Sequence, residues 1–328
     1  MYRARKDKKN SYICRCAKLE GICKILKMSK FGVKIVRGIV KVIGKLPLKV
    51  HYFFAGFLIW ILGDVMKYRR DVVMINLARS FPHLKYNQLK PIVKEFYAHL
   101  GEIFAEAIWF GASDYKRLYD SEIVTITNPE VFNKMFETAP STTILFTHSG
   151  NWELLGGILG YRTSTGEKLT LEEKQIKVVY KELHSKFSNE FFKLNRVAPL
   201  ENPDLECEIE SNSILRYALK NKDNKSAYIF IADQYPYVIS NYVVGEFMHQ
   251  NTLGMLGGAS LAHKLGHSVV YLKMKRVCRG RYEMTFIPIC EEASVVEPES
   301  IMRKYYDLLE EEINETPHNW LWTHKRWK

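Results

Sequence analysis

Apolar residues recur at helical spacing over residues 87–110, where Ile92, Phe96, Leu100 and Ile103 form one stripe. Asn87 stands at the start of this stripe and is a good N-terminal cap, and Pro91 falls in the first turn, where proline is tolerated. The pattern therefore predicts a long helix with one buried face.

Beyond Gly111, short β-branched apolar runs alternate with helical patterns. The runs predict strands at 142–146, 177–180, 227–232 and 269–274. The helical patterns lie at 188–196, 257–265 and 299–314. Gly280 separates 269–276 from 282–289 and predicts a hairpin. This alternation is typical of an α/β domain with a mixed sheet flanked by helices.

The N-terminal part has a different pattern. Lys34, Arg37, Lys41 and Lys45 are spaced by three, four and four residues, which places them on one face of an amphipathic helix. After Pro47, residues 50–62 read VHYFFAGFLIWIL, with no formal charge. This run is shorter than the roughly 20 residues of a spanning helix, and its flanks are basic on both sides. It predicts an anchor in or on a membrane, with a buried core helix as the alternative.

The charge distribution supports that interpretation. The 328-residue chain has a net charge of +12, but residues 1–49 contain 15 Lys and Arg and only two acidic residues. This stretch has a net charge of +13, which leaves −1 for the remainder. A nucleic-acid enzyme usually spreads basic groups over its folded body, so we expect no nucleic-acid partner. A basic arm over 1–30, membrane-anchor helices over 31–66 and a catalytic domain over 67–328 are predicted.

The six cysteines suggest neither a disulfide framework nor a structural zinc site, because they form no C-x-x-C pairs and three of them lie in the basic arm. His263 and His267 are four residues apart on a predicted helix, but no third ligand accompanies them. We expect no metal and no cofactor.

The candidate chemistry lies where the strand over 142–146 ends. His148 follows the strand, Ser149 and Gly150 allow a sharp reversal, and Glu153 comes five residues after the histidine. A neutral histidine can take the proton of an attacking hydroxyl if a carboxylate fixes its tautomer. The following helix start would offer free N–H groups to an oxyanion or a phosphate. Bare H-x-x-x-x-E spacing is weak, and an ordinary histidine is the alternative.

The wider chain resembles the late acyltransferases of lipid A biosynthesis, the lauroyl and myristoyl transferase family, and most closely its Bacteroidetes-type branch. The segments that carry the resemblance are Tyr68–Val73 with Asn76–Leu77 and Ser80–Pro82, His148–Glu153, Ile231–Gln234 with Pro236, Phe247 with Gln250–Thr252, and Trp320–His324 with Arg326–Trp327. They run from about residue 45 to the end. His249 ahead of Gln250 and the acidic stretch after Leu200 depart from the family pattern.

The resemblance implies a glycerolipid acyltransferase-like fold and direct transfer of an acyl chain from acyl carrier protein to a hydroxyl of a lipid A precursor. The enzyme would work at the cytoplasmic face of the bacterial inner membrane, without a covalent intermediate. His148 would be the general base and Glu153 its orienting partner. The implied substrate-binding residues are Asn151, Trp152, Arg196, Arg216, Asp233, Gln234 and Thr252.

Several alternatives remain open. The acceptor could be another lipid, such as a lysophospholipid or an amino-acid lipid, or the chain could be a non-catalytic lipid-binding protein. Asp233 could be a simple strand-end cap, and Arg196 and Arg216 could be solvated helix arginines. The tryptophans Trp320, Trp322 and Trp327 could line an acyl groove, lie at the membrane interface or close the core.

Overall fold

The computed structural model describes residues 30–181, 186–202, 204–236 and 242–327. All but the last residue of the predicted basic arm over 1–30 lies outside the described residues. The helices are α1 (Lys30–Gly44), α2 (Leu48–Ile59), α3 (Arg70–Ser80), α4 (Tyr86–Phe110), α5 (Tyr115–Ser121), α6 (Pro129–Thr138), α7 (Lys186–Arg196), α8 (Ile214–Lys220), α9 (Gly257–Leu265) and α10 (Pro298–Glu315). A π-helical turn, Trp60–Val65, continues α2, and Trp152–Gly160 forms a 3₁₀ helix.

The strands are β1 (Val124–Ile126), β2 (Thr142–Phe146), β3 (Arg162–Thr163), β4 (Ile176–Tyr180), β5 (Glu208–Glu210), β6 (Ala227–Ile231), β7 (Tyr242–Phe247), β8 (Gln250–Met255), β9 (Ser268–Cys278) and β10 (Arg281–Cys290). Eight of them form one sheet in the order β3-β1-β10-β9-β2-β6-β4-β5. Its pairs are parallel except the β9–β10 hairpin, which turns at Gly280. The predicted mixed α/β sheet is confirmed, and β7 and β8 form a separate antiparallel hairpin.

Both faces of the sheet are covered. Along β9, Tyr271 belongs to the core on one face and Leu272 to the core on the other, as strand geometry requires. The first core also takes residues from α3, α4, α9, α10 and the tail after α10. The second takes residues from α6 and the 3₁₀ helix over 152–160. Such double coverage is typical of sheets with many parallel strands.

The N-terminal helices contact the domain along α4 but leave much apolar surface exposed. The window Leu48–Val65 has a mean hydropathy of 1.4 over 18 residues and is long and apolar enough to cross a membrane, yet only 17% of it is buried. Phe53, Phe54, Phe57 and Trp60 are all more than half exposed. A buried core helix would not expose four aromatic rings, so this alternative is not supported.

The register of the sheet positions the site. Strands β2 and β6 are parallel neighbours, with Phe146 opposite Ile231. Since parallel strands end at the same edge, the residues that follow them meet there. These residues are His148 after β2 and Asp233 after β6.

Candidate active site

The carboxylate of Asp233 forms a hydrogen bond with Nδ1 of the His148 imidazole. The distance from Nδ1 to Asp233 Oδ1 is 2.8 Å. Asp233 Oδ2 accepts hydrogen bonds from the backbone N–H of His148 and from the indole of Trp320, at 3.2 and 2.8 Å. Burial alone would raise the pKa of Asp233, but His148 and these hydrogen bonds keep that pKa below its ordinary value. An ionised Asp233 favours the tautomer with the proton on Nδ1, which places the lone pair on Nε2, the nitrogen that can then act as a base.

The turn after His148 is fixed from two sides. Gly150 has a φ of +59°, and a Cβ there would lie 2.7 Å from the carbonyl oxygen of Met274. Its N–H donates to the carbonyl of Asn319 at 3.0 Å, and the N–H of Leu321 donates to the carbonyl of His148 at 3.1 Å. The glycine is therefore required for the predicted reversal, and the tail after α10 holds the turn in place.

Glu153 does not form the expected hydrogen bond with His148. Glu153 Oε1 instead accepts from the indole of Trp152 at 3.0 Å, and Asp233 takes Nδ1 because β2 and β6 are neighbours. Trp152 stands edge-on to His148, with ring centroids 5.2 Å apart. Glu153 Oε2 is buried and has no hydrogen-bond partner among the described residues. Glu153 therefore lies one ring away from His148, and its catalytic role stays a prediction.

Asn151 is a supporting residue of the turn. Its Oδ1 accepts from the backbone N–H of Glu153 at 3.2 Å. The sequence analysis expected this N–H to be free for an oxyanion, but Asn151 already occupies it. Its Nδ2 donates to Oε2 of Glu106 at 2.7 Å, and the hydroxyl of Tyr52 on α2 donates to the other oxygen, also at 2.7 Å. Burial raises the pKa of Glu106 to about 7 against the lowering effect of these bonds. The turn after His148 and helix α2 thus share one carboxyl group.

A cavity of about 400 Å³ opens beside His148. Trp152 and Gln234 line it next to His148, and Gln234 Nε2 lies 3.2 Å from His148 Nε2. The wall beyond is largely apolar and includes Leu155, Ile176, Val178, Phe230, Ile231 and Met255. Ile176 is level with Thr142, four residues before the end of β2, so the cavity reaches about 13 Å along the sheet. This is a typical size and lining for a site that holds an apolar ligand.

The remaining predicted binding residues lie in three different places. Arg196 lines the cavity, but its guanidinium lies 3.3 Å from the buried carboxylate of Glu208. Arg216 is exposed on α8. Thr252 is buried on β8, where its hydroxyl accepts from the indole of Trp327 at 2.8 Å.

The segment that departs from the family pattern forms the β7–β8 hairpin. Met248 and His249 occupy its two-residue turn, with φ values of +51° and +60°. Both residues take the left-handed conformation that such a turn demands, without the usual glycine or asparagine. His249 is thus a turn residue.

The tail tryptophans close the core. Trp320 and Trp322 are 3% and 0% exposed, and Trp320 also holds Asp233. The histidine pair has separate partners: the ring of His263 lies 3.0 Å from the carbonyl of Ala293, and His267 lies 3.1 Å from the hydroxyl of Thr143.

The sequence analysis missed three buried ionisable residues of α4: His99, Glu102 and Glu106. His99 Nε2 lies 3.1 Å from the carbonyl oxygen of Gly150, and Glu102 binds Arg276 and Arg279 at 2.7 and 2.9 Å. Burial alone would raise the pKa of Glu102, but these partners bring it down to about 2. The available signal was their spacing of three and four inside an apolar helix, which puts ionisable groups on one face.

Comparison with protein-family models supplies the identity. Residues 21–328 match the model of the bacterial lipid A biosynthesis acyltransferases. No curated protein sequence matches this chain. Members of the family are enzymes associated with bacterial membranes, in agreement with the exposed apolar face of α2. The matched range includes the turn at His148, Asp233 and the tail that holds them, and the chain belongs to the bacterial lipid A biosynthesis acyltransferase family.

Proposed function

We propose that this protein transfers a fatty acyl chain, of the lauroyl or myristoyl class, from acyl carrier protein to a hydroxyl of a lipid A precursor. The reaction takes place at the cytoplasmic face of the bacterial inner membrane. The observation that carries the proposal is His148, oriented through Nδ1 by a buried carboxylate at the mouth of an apolar cavity. That arrangement suits a base next to a bound acyl thioester.

In the proposed reaction, Nε2 of His148 takes the proton of the acceptor hydroxyl as its oxygen attacks the thioester carbonyl. The tetrahedral intermediate collapses, the C–S bond breaks, and the thiol of the carrier leaves with the proton from His148. The new ester remains on the acceptor. Asp233 stabilises the imidazolium that forms between the two steps. No covalent enzyme intermediate is needed.

Glu153 is proposed as the second carboxylate of the site. A buried oxygen without a partner is rare and calls for an explanation, and catalytic hydrogen bonds often form only with substrate present. Glu153 Oε2, separated from His148 by the Trp152 ring, is such an oxygen. Trp152 and Gln234 frame Nε2 of His148, and Asn151 holds the backbone from which Glu153 projects.

The donor's acyl chain would occupy the apolar cavity. Arg196 in the cavity wall would contact the phosphate of the carrier's prosthetic arm. This phosphate would then take the place of Glu208 as the anionic partner of Arg196. Arg216, exposed on α8, is available to the acidic surface of the carrier protein. Thr252 would act indirectly, by holding Trp327 against the β7–β8 hairpin.

The test is a transfer assay with purified membranes. Carrier proteins with a graded series of acyl chains are offered to a tetra-acylated lipid A precursor bearing Kdo, with a lysophospholipid as competing acceptor. We expect product on the glycolipid and none with His148→Ala, whose fold and membrane binding should remain intact. Turnover above a thousandth of wild type in that variant would contradict the general-base role.

The acceptor assignment has its own test in the same assay. Product on the lysophospholipid alone would keep the chemistry and replace the acceptor. Product on neither would favour a lipid-binding protein without catalysis.

A further inference from the structure

A second cavity, of about 510 Å³, lies between the anchor helix α2 and the long helix α4, apart from the residues that line the catalytic cavity. Its α2 wall includes Gly56 and Ile59, followed by Trp60 of the π-helical turn, and its α4 wall includes Val93 and Ala98. These are small or apolar side chains. The cavity therefore offers an apolar slot against the most exposed apolar helix of the described chain.

The rim of this cavity is basic. Four basic side chains line it, Arg70, Lys90, Lys94 and Arg279, against two carboxylates. Arg279 is matched by Glu102, whose carboxylate also binds Arg276. Lys90 and Lys94 are exposed, one turn apart on α4, and neither has an acidic partner among the described residues. The uncompensated positive charge is thus concentrated on one turn of α4.

The fourth basic residue of the rim, Arg70, lies close to the C-terminal end of the apolar window. Arg70 begins α3, just after the apolar window Leu48–Val65 ends. Its ion pair with Asp64 is long, at 3.9 Å, and both side chains are partly exposed. Such a pair contributes little and leaves Arg70 available to a stronger anion. Basic groups at the end of an apolar membrane helix lie at the depth of lipid headgroups.

We propose that this second cavity binds one anionic phospholipid of the surrounding bilayer. The phosphate lies against Lys90, Lys94 and Arg70, and an acyl chain lies in the slot past Gly56 and Ala98. Charge complementarity identifies the headgroup, and the apolar wall between two helices identifies the chain.

A short series of contacts connects this lipid site to the turn at His148, so a bound lipid would affect the mobility of that turn. Glu102 forms part of the cavity wall, and its carboxylate lies 3.5 Å from Nδ1 of His99. His99 in turn lies 3.1 Å from the carbonyl oxygen of Gly150, inside the turn. A lipid that restrains α4 against α2 therefore restrains the backbone next to His148.

The experiment is native mass spectrometry of the full chain in mild detergent. The protein is incubated with equal amounts of phosphatidylglycerol and phosphatidylcholine that carry identical acyl chains. We expect one retained phosphatidylglycerol per chain. Lys90→Gln with Lys94→Gln should weaken its binding about tenfold or more, since each basic group near an anionic lipid contributes substantially.

Two further variants separate the site from general charge and from misfolding. Lys264→Gln with Lys304→Gln removes the same charge elsewhere and should retain the lipid. Gly56→Leu fills the slot without a backbone clash, because a Cβ at Gly56 meets nothing within 4 Å. It should lose phosphatidylglycerol while its thermal unfolding stays like that of wild type.

The outcomes are decisive in either direction. Equal retention of both lipids, or loss in the Lys264/Lys304 control, would overturn the proposal. Displacement of phosphatidylglycerol by inorganic phosphate alone would assign the site to free phosphate and overturn the lipid assignment. Slower hydrogen exchange at residues 148–152 with phosphatidylglycerol bound would support the link to the turn, and unchanged exchange would remove it. None of these measurements requires acyl transfer.

Discussion

At the scale of single residues, the proposed chemistry depends on the orientation of one imidazole ring. Asp233 binds Nδ1 of His148, and Trp320 holds Asp233 from the other side. Asp233→Asn keeps the shape but removes the charge that selects the tautomer. We expect kcat to fall by about 10²–10⁴-fold with KM nearly unchanged. Steady-state kinetics on the membrane assay measures this, and wild-type kcat in the variant would contradict the pairing.

The second carboxylate gives a separate prediction. Glu153→Gln retains an oxygen that can accept from the Trp152 indole, so the local packing should stay as it is. If the unpaired Oε2 contacts substrate, loss of its charge should lower kcat by about 10²-fold or more. As a matched control, Glu172→Gln changes an exposed carboxylate outside the site. Equal kcat in Glu153→Gln and the control would limit Glu153 to a packing role.

At the scale of elements, β4 lines the cavity beside His148 along its whole length, so we expect it to limit the length of a bound acyl chain. Ile176 lies at the end of the strand away from His148 and is 7% exposed. Ile176→Phe should shorten the preferred acyl chain, and Ile176→Ala should lengthen it, because the two changes move the cavity floor in opposite directions. Competition among carrier proteins with graded chains measures the preference. A shift in the same direction for both variants would indicate a general packing defect.

The basic residues in and after α1 differ in their surroundings: Arg37 contacts the folded domain, and the lysines are exposed. Arg37 donates to the carbonyl of Leu194 at 2.6 Å and so holds α1 against the last turn of α7. Lys41 on α1, Lys45 just after α1 and Lys49 on α2 are exposed. Replacing these three by Gln should weaken binding to anionic vesicles by roughly 3 kcal/mol, about 100-fold, and leave binding to neutral vesicles unchanged. Vesicle sedimentation measures both, and Lys220, Lys264 and Lys304→Gln is the control.

The elements differ in how well the sequence predicted them. Strand β2 and helix α9 have the predicted bounds, because their signals are local: a β-branched run, and a helical pattern that begins at Gly257. The short strands β1 and β5 carry too few residues for a period to show.

The site was predicted less completely than the strands. His148 and Asp233 each follow a predicted strand, yet their hydrogen bond depends on β2 lying next to β6. This adjacency skips β3, β4 and β5 and has no local signal. Without it, Glu153 was the only nearby carboxylate in the sequence, and the orienting contact was assigned to it.

At the scale of the whole molecule, buried histidines couple stability to pH. Burial lowers the pKa of His267 from 6.5 to about 4. Below pH 6.5, His267 therefore becomes protonated in the unfolded chain, whereas in the folded chain it stays neutral down to about pH 4. The free energy of unfolding consequently falls as the pH drops through this window. The loss amounts to roughly 3 kcal/mol at its limit, from about 1.4 kcal/mol per pKa unit.

The variant His267→Gln tests this dependence away from the catalytic cavity. We expect its thermal midpoint in detergent to fall less than that of wild type between pH 7 and pH 4.5. His324, whose pKa burial also lowers to about 4, is present in both proteins and cancels in the comparison. Parallel curves for the two proteins would contradict the buried neutral state of His267.

The hydrogen bonds from Asn319 and Leu321 to the catalytic turn have a consequence for biogenesis. Ribosomes synthesise the anchor helices before any strand of the sheet, and residues 319–322 after all of them. A growing chain can thus reach the bilayer while Gly150 and Asp233 still lack their tail partners. The turn at His148 therefore acquires its last hydrogen bonds only after the whole sheet and the N-terminal helices have been synthesised.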